Sequence, residues 1–245
     1  MKFFLNYFLY IILFFSVINC AKKASPTGGP KDTIPPVLIS ASPKLNTTFF
    51  DKEEVKFIFN EYVQLDDIDK QLIISPPLKI GGYKLHPTIS ASKKITLSIL
   101  DTLLENTTYT FNFGEGIKDY NEGNKMSFFS YTISTGAEID SLNLKGLIKD
   151  AIKMEPDNFI SLQLYPIDSS YNDSAIYRKK PFYVTSTLDS TVFEFKNLKA
   201  GKYELIALKD FSNNYYFDQN VDQIGFLNTP ITLPLDSIIE LKIFK

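Results

Sequence analysis

The best candidate for a chemical site in this sequence is the segment DFSNNYYFD, residues 210–218. Calcium prefers oxygen ligands, and loops that bind it place oxygen-bearing side chains at alternating positions. Four side chains here follow that spacing, with the Tyr216 carbonyl between the last two: Asp210, Ser212, Asn214 and Asp218. The sequence therefore predicts a calcium site. The segment lacks a central glycine and a bidentate glutamate, so the alternative is an Asn-rich turn whose side chains hydrogen-bond their own backbone.

The sequence contains no recognisable set of catalytic residues. It has one histidine, His86, and one cysteine, Cys20, which leaves neither a two-histidine metal site nor an internal disulfide. It contains no G-x-S-x-G or H-E-x-x-H pattern. Acid–base hydrolysis needs two carboxylates across a cleft, whereas acidic runs such as Glu53-Glu54 are expected in solvated turns. We predict that the protein is not an enzyme.

Composition and charge narrow the class of protein further. The 245-residue chain is 44% hydrophobic, which is ordinary for a folded protein. Its formal net charge is −2, and its Lys and Arg residues are scattered. Because nucleic-acid affinity comes mainly from neutralised phosphates, we expect no nucleic-acid partner. The abundant Phe, Tyr, Ile, Val and Thr favour β-strands.

The N-terminus has the pattern of an export signal. After Met1-Lys2, residues 3–18 are almost wholly apolar, and this run is shorter than the roughly 20 residues that a membrane span needs. The segment VINC, which ends at Cys20, resembles the lipobox of bacterial lipoproteins, although Asn19 replaces the usual small residue. This resemblance implies a signal peptide at residues 1–19 and a lipid on Cys20. An uncleaved membrane anchor and an ordinary buried cysteine are the alternatives.

The segment that begins with this cysteine, residues 20–34, contains Pro and Gly residues and is predicted to be an unstructured tether. One acyl chain holds a protein on a membrane only marginally, whereas several chains on one cysteine hold it firmly. The lipid on Cys20 and the tether would together attach a folded domain to a membrane.

Downstream of the tether, short β-rich runs recur about every ten residues, separated by Pro, Gly, Asn and Asp. In the run TYTFNF, Tyr109, Phe111 and Phe113 alternate with polar residues, which predicts a strand with one face on a core and the other in water. The following run GEGIKDYNEGN, residues 114–124, is predicted to be a long loop between strands.

A break at Gly136 divides the runs into two series of about a hundred residues each, the usual size of a β-sandwich domain. We predict an all-β fold of two tandem β-sandwiches, one at residues 35–137 and one at residues 138–245. No segment after residue 20 has the sustained period of a long helix.

Several of these segments resemble one protein family. SPTGGPKDTIPPVLISASP and NTTYTFNFGEGIKDYNEGN are similar to the Ig-like domain lipoproteins of Bacteroidota. FEFKNLKAGKYELIALKDFSNNYYFD is similar to the carboxypeptidase-regulatory, transthyretin-like sandwich that follows in that family. The resemblance implies an Ig-like sandwich, then a transthyretin-like one, a lipid anchor and a place in the cell envelope, with no established enzymatic activity. Family members usually continue past the second sandwich, which leaves open whether this chain is a short or a truncated member.

Together these features predict a non-enzymatic outer-membrane lipoprotein that binds or spaces other envelope components, with the membrane and an envelope protein as partners. Basic Lys22 and Lys23 after the cysteine favour the periplasmic side over the cell surface. Exposed edge strands would let it add a partner's strand. The alternative is a carbohydrate-binding or adhesive surface lipoprotein with a glycan ligand. That function needs an exposed aromatic platform, for which Tyr215, Tyr216 and Phe217 are the candidates.

A short Asp-(Ser/Thr)-x pattern is a further feature of the sequence. It occurs six times with an apolar residue or Thr at the third position, more often than composition predicts. The pattern resembles the O-glycosylation site of exported Bacteroidota proteins, and a strand that begins after an Asp turn gives the same triplets, so both interpretations stay open. The six triplets begin at Asp32, Asp101, Asp140, Asp173, Asp189 and Asp236.

Overall fold

The computed structural model describes residues 29–152, 159–169, 171–188 and 190–244, and their regular structure is almost entirely strand. The prediction of an all-β fold is therefore confirmed. Two single-turn helices interrupt the strands, α1 at Ile68–Gln71 and α2 at Ala175–Arg178. The predicted signal peptide and Cys20 lie outside the described residues.

No helix in this described part of the chain has the length and the apolar character of a membrane span.

The first half of the described chain folds into two facing antiparallel sheets. One sheet has the order β1-β2-β5-β4, with β7 also paired to β2, and the other has the order β3-β6-β8. The strands are β1 Leu38–Ser42, β2 Glu54–Leu65, β3 Ile73–Ser75, β4 Tyr83–His86, β5 Ser92–Ile99, β6 Thr108–Asn112, β7 Ile117–Asp119 and β8 Ser130–Ser134.

Alternation along these strands builds the first core. Every second residue of β2 from Val55 to Phe59 is buried, as a strand with one face on a core requires. The ring of Phe57 is the centre of an aromatic cluster, with ring centroids 5.6 Å from Phe113, 5.4 Å from Phe129 and 5.1 Å from Tyr131, each at a steep angle. Such edge-to-face pairs add about 0.5–1.5 kcal/mol each to the burial of the rings.

The second half forms two more sheets around a separate core. One has the order β11-β10-β13-β14, with β15 also on β13, and the other has the order β12-β9-β16, in which β16 runs parallel to β9. The strands are β9 Leu142–Asp150, β10 Ser161–Pro166, β11 Tyr183–Ser186, β12 Val192–Leu198, β13 Gly201–Lys209, β14 Gln223–Phe226, β15 Ile231–Leu233 and β16 Ile239–Ile243. Its core cluster runs from Leu144 to Ile243, whereas the first runs from Phe50 to Ile133.

Gly146 lies at the middle of the second core, on the central strand β9. It is directly opposite Phe193 of β12 on one side and Ile239 of β16 on the other. A Cβ at this position would come within 2.2 Å of the Phe193 ring and 2.6 Å of the Ile239 carbonyl oxygen. The packing of the Phe193 ring over β9 therefore requires glycine at residue 146.

Two sequence predictions about the first sandwich need correction. The segment 114–124 is not wholly a loop, because Ile117–Asp119 forms β7, pairs with β2 and buries Ile117 and Asp119. The polar face of TYTFNF does not lie in water either. Tyr109, Phe111 and Phe113 are buried as predicted, but Thr110 and Asn112 on the other face line a cleft against the second sandwich.

Candidate functional site

The oxygen atoms of the predicted calcium loop are used within the loop itself. The Asp210 carboxylate accepts hydrogen bonds from the N–H groups of Ser212 at 3.1 Å and Tyr215 at 2.6 Å. The Asn214 side-chain oxygen accepts from Tyr216 N–H at 2.7 Å. This is the Asn-rich turn that was the alternative interpretation. The calcium site with Asp210, Ser212, Asn214 and Asp218 stays a prediction.

A third carboxylate, which the sequence analysis did not single out, completes this loop. Asp222 is buried and accepts hydrogen bonds from Phe211 N–H at 3.1 Å and Asp218 N–H at 2.9 Å, so it ties both ends of the loop together. Burial raises the pKa of Asp210 above its ordinary value, against the hydrogen bond from Tyr215 N–H and together with the charge of Asp222. Asp210 and Asp222 thus hold the backbone of this loop in place through hydrogen bonds.

The aromatic residues of the same loop are half-buried rather than exposed. Burial, together with the nearby Asp210 carboxylate, raises the pKa of Tyr215 to about 12. The Phe217 ring packs on Tyr177 of α2 with centroids 5.5 Å apart, and the Phe217 N–H donates to the Ile176 carbonyl at 2.9 Å. These contacts dock the loop onto α2, so Tyr215, Tyr216 and Phe217 do not form the exposed platform that glycan binding requires.

Exposed tyrosines occur instead on the outer face of the first sandwich. Tyr62 of β2 and Tyr120, which follows β7, are each 57% exposed. Tyr120 N–H donates to the Tyr62 carbonyl at 2.9 Å, which continues the β2–β7 register in which Val63 pairs with Asp119. Residues directly opposite each other on antiparallel strands project to the same face. The sequence held no local signal for this pair, because 58 positions separate the two residues.

The turn after β7 is built around the buried carboxylate of Asp119. Its Oδ1 accepts from the N–H groups of Glu122 at 2.7 Å and Gly123 at 2.9 Å, and its Oδ2 accepts from Asn124 N–H at 2.8 Å. Gly123 has φ of 81°, which glycine adopts without strain. Burial raises the pKa of Asp119, but the backbone donors outweigh it, and the net pKa lies below its ordinary value. Asp119 therefore fixes the backbone on which Tyr120 stands.

The two sandwiches are joined by hydrogen bonds, which we call the seam. Asn197 lies at its centre: its amide donates to the Asp140 carbonyl at 2.9 Å and accepts from the Thr110 hydroxyl at 3.2 Å. Val184 N–H of β11 donates to the Ser75 hydroxyl at 3.0 Å. Two lysine ammonium groups of the second sandwich also donate to carbonyls of the first, Lys180 to Leu78 at 2.8 Å and Lys199 to Asn106.

A cleft of about 360 Å³ lies along the seam between the two sandwiches. Its lining is rich in hydroxyl groups, but these are already engaged with nearby backbone. Ser186 accepts from Leu188 N–H, Ser190 accepts from Val192 N–H, and Thr185 donates to the Glu194 carbonyl at 3.0 Å. The hydroxyl groups of the cleft therefore mainly stabilise the backbone around the seam.

The Asn197→Gly variant tests the joint. Asn197 has φ of 59°, so glycine keeps the backbone and removes only the two side-chain hydrogen bonds. At about 1 kcal/mol for each bond, we expect a loss of about 2 kcal/mol and a Tm lower by roughly 5 °C. Thermal denaturation followed by circular dichroism measures it. Asn213→Gly, at φ of 51° with an exposed side chain, is the matched control and should change Tm little. Equal Tm shifts in Asn197→Gly and Asn213→Gly would show that the Asn197 side-chain hydrogen bonds do not stabilise the seam.

The edge strands of the first sandwich are guarded against pairing with another chain. β1 is five residues long, lies between Pro36 and Pro43, and carries an irregularity at Leu38/Ser40. β4 presents Lys84 and is followed by Pro87. Prolines, lysines, bulges and short length are the features that blunt sheet edges.

Other edges are covered by the protein itself. β8 is lined by the segment 46–50, because Asn46 N–H and Phe50 N–H donate to carbonyls of β8. β3 and β11 meet at the seam. β16 is joined to β14 by a reciprocal pair of 2.9 Å bonds between Ile224 and Phe244. The addition of a partner's strand at an exposed edge stays a prediction.

A metal site requires a cluster of ligating side chains. Within the described ranges, no three His, Cys, Asp or Glu side chains lie close enough to hold a metal ion. His86 stands at the end of the edge strand β4, in front of Pro87.

This fold defines an all-β protein of β-sandwiches, and the comparison with protein families gives a match in its first part. Residues 32–135 match the model of the bacterial Ig-like domain, which supports an Ig-like domain at this position. A search of curated proteins gives no significant match.

Solved structures give distant similarities only. The N-terminal part of the bacterial S-layer protein SbsC is 15% identical with a TM-score of 0.26, over 86% of this chain and 43% of that one. The major pilin subunit BcpA*(D312A) of Bacillus cereus is 10% identical with a TM-score of 0.25, over 86% and 70%. The pilus adhesin RrgA of Streptococcus pneumoniae is 15% identical with a TM-score of 0.22, over 52% and 19%. This chain thus spans less than half of the S-layer chain, and similarities this distant carry no functional argument.

Proposed function

We propose that the protein is a non-enzymatic, lipid-anchored protein of the cell envelope that binds or spaces other envelope components. The observation that carries this proposal is the seam. Hydrogen bonds from Asn197, Val184, Lys180 and Lys199 join the second sandwich to the first. A spacer has to hold its two ends at a fixed separation, and a hydrogen-bonded joint serves that purpose better than a flexible linker.

The anchor in this proposal is the lipid on Cys20, on the periplasmic side of the outer membrane. Its support comes from the sequence: an apolar run after Met1-Lys2, the segment VINC, and a tether that contains Pro and Gly residues. In this proposal the predicted tether, residues 20–34, links the lipid to the first sandwich. Partners would be the membrane and an envelope protein, with no nucleic acid.

The non-enzymatic part of the proposal is supported by what the polar groups do. Two of the acids with altered pKa values, Asp119 and Asp210, accept hydrogen bonds from the turns that they organise. Perturbed carboxylates are candidates for catalysis when they face a cleft. The Asp119 and Asp210 carboxylates instead accept hydrogen bonds from backbone N–H groups, which gives their burial a structural reason.

In-cell photo-crosslinking of the full-length protein tests the proposal, with Cys20→Ala as the control. A photoreactive residue at Ile80 or Ile89, which are 90% and 92% exposed, leaves the cores intact. We expect the unchanged protein in the membrane fraction with one or two discrete protein adducts. Cys20→Ala should move it to the soluble fraction and abolish the adducts. Membrane attachment that survives Cys20→Ala would overturn the anchor, and an anchored protein without discrete protein adducts would overturn the partner.

The second candidate function is a carbohydrate-binding or adhesive surface lipoprotein. The observation that favours it is the exposed pair Tyr62 and Tyr120, which supplies the aromatic platform that Tyr215, Tyr216 and Phe217 do not.

A further inference from the structure

The outer face of the first sheet carries exposed apolar side chains beside its tyrosine pair. Tyr120 N–H donates to the Tyr62 carbonyl at 2.9 Å, so the two residues lie side by side. Four aliphatic side chains, each between 44% and 65% exposed, border this pair, and we call the six residues together the apolar face. The four are Ile34, Val37, Ile39 and Ile58.

Hydrogen bonds keep this face continuous. The segment before β1 lies along β2, because Val37 N–H donates to the Asn60 side-chain oxygen at 2.8 Å and Asn60 N–H donates to the Val37 carbonyl at 3.1 Å. The Ile34 carbonyl accepts from the Asn124 side-chain amide at 3.5 Å, in the turn that Asp119 organises. These bonds place Ile34 and Val37 next to the strands that carry the tyrosines.

Two lysines stand within the apolar face. Lys94 of β5 is directly opposite Ile58 of β2. Lys93 Nζ lies 5.6 Å from the centroid of the Tyr62 ring. Glu61, next to Tyr62 in the sequence, limits the excess of positive charge. Apolar contact rather than long-range attraction therefore has to supply most of the binding energy of this face.

A phospholipid bilayer suits this combination of side chains better than a protein or a sugar chain does. The centres of protein interfaces are depleted of lysine, and a second copy would bring its own Lys93 and Lys94 against the same charges. The four aliphatic residues have no ring face on which a sugar ring can stack. At a membrane interface, in contrast, aliphatic side chains enter the acyl region, tyrosines lie at the level of the headgroups, and lysines extend their ammonium groups to the phosphates.

The apolar face also lies where the chain enters the first sandwich. Ile34 and Val37 directly precede β1. In the proposed function, the lipid on Cys20 holds the part of the chain before them on the membrane. The apolar face is therefore the part of the sandwich next to the attached end, whereas an exposed ring such as that of Phe211 lies on the second sandwich.

We propose that the apolar face lies against the phospholipid bilayer, with its aliphatic side chains at the edge of the acyl region and Lys93 and Lys94 at the phosphates. The inference deepens the proposed function and rests on the attachment of the N-terminal part of the chain to the membrane. Attachment keeps the face close to the bilayer, so a contact too weak to bind a free protein is enough to orient an anchored one.

A single tryptophan tests this contact, because the chain has no tryptophan of its own. Tyr120→Trp places the probe in the apolar face, and Phe211→Trp is the matched control at a position 61% exposed on the second sandwich. Each full-length variant is reconstituted into vesicles of phosphatidylcholine and phosphatidylglycerol, with and without lipid brominated near the carbonyl end of its acyl chains. Bromine quenches tryptophan only on close approach. We expect it to quench Tyr120→Trp and to leave Phe211→Trp unchanged, because interfacial side chains reach the boundary between headgroups and acyl chains.

Ile39→Thr combined with Ile58→Thr tests the apolar contact in the Tyr120→Trp protein. Threonine keeps the β-branched shape that strands favour but removes apolar surface, so the ratio of docked to undocked protein should fall about tenfold. Val192→Thr combined with Ile238→Thr makes the corresponding change at exposed positions of the second sandwich and should leave the quenching unchanged. All variants should keep the Tm of the unchanged protein, because these side chains are exposed.

Quenching that is equal for Tyr120→Trp and Phe211→Trp, or that survives the Ile39→Thr and Ile58→Thr changes, would overturn this inference. A photoreactive residue at Tyr120 that captures a discrete envelope protein in cells, and no phospholipid, would also overturn it and assign the face to a protein. Attached protein without quenching of Tyr120→Trp would overturn the bilayer contact alone. Protein that separates from the vesicles on flotation would instead overturn the anchor of the proposed function, on which this inference rests.

Discussion

The Asp119→Asn variant will melt roughly 10 °C below the unchanged protein at neutral pH. Three backbone N–H groups point at the buried Asp119 carboxylate from 2.7 to 2.9 Å. An amide keeps one accepting oxygen but turns its NH₂ group toward a backbone donor. Because a hydrogen bond to a charged group is worth about 1.5–3 kcal/mol, we expect a loss of about 3 kcal/mol. Thermal denaturation followed by circular dichroism measures this difference.

The same variant has a defined pH dependence. The folded pKa of Asp119 lies below its ordinary value, so the ionised carboxylate stabilises the fold above the unfolded pKa of about 3.9. That contribution is lost as the pH falls through the folded pKa. The Tm difference between the two proteins should therefore be constant from about pH 5 to 7 and should narrow below about pH 4.

Asp66→Asn is the control for Asp119→Asn. Asp66 is partly exposed and pairs with Lys118 Nζ at 2.8 Å, and exposed ion pairs are worth about 1 kcal/mol or less. A Tm shift in Asp119→Asn no larger than that of Asp66→Asn would show that the three backbone bonds contribute little.

The second large effect is expected for Gly146→Ala, which should destabilise the second sandwich by about 3 kcal/mol. The new methyl group would meet the Phe193 ring at 2.2 Å and the Ile239 carbonyl at 2.6 Å, well inside van der Waals contact. The ring is buried and the carbonyl belongs to a paired strand, so neither can move without loss of packing. Urea denaturation followed by circular dichroism measures the free energy of unfolding.

Gly201→Ala is the matched substitution in the same sandwich. A Cβ there would lie 3.3 Å from the nearest atoms of Tyr203, a tight contact with the edge of a side chain, and Gly201 has no positive φ. We expect its effect to stay within about 1 kcal/mol. Similar free energies for the two variants would contradict the packing described around Gly146.

Local patterns in the sequence predicted the strands because strand alternation is a local property. Tyr109, Phe111 and Phe113 face the core as the period of two indicated. The exposed side of that strand could not be predicted in the same way. Thr110 and Asn112 look solvent-facing until a sandwich that begins more than thirty residues later covers them.

The exposed pair of Tyr62 and Tyr120 depends on contacts that sequence spacing does not reveal. Tyr62 and Tyr120 become neighbours only through the pairing of β7 with β2, and β7 was predicted to be loop. Asp119 looked like an ordinary turn acid, because three donors converge on it only once the turn closes. In the loop at 210–218, the side-chain oxygens of Asp210 and Asn214 accept hydrogen bonds from the loop backbone, an arrangement that spacing alone does not distinguish from a cation site.

The guarded edges of β1 and β4 matter most when many copies share a small area. A lipid anchor would confine the molecules to two dimensions, where encounters between neighbours are frequent and unpaired strands would join into fibrils. Prolines at residues 36, 43 and 87 lack the N–H groups that a regular ladder of hydrogen bonds between two copies would need. Lipid-anchored copies of the protein would then remain separate molecules even at high density.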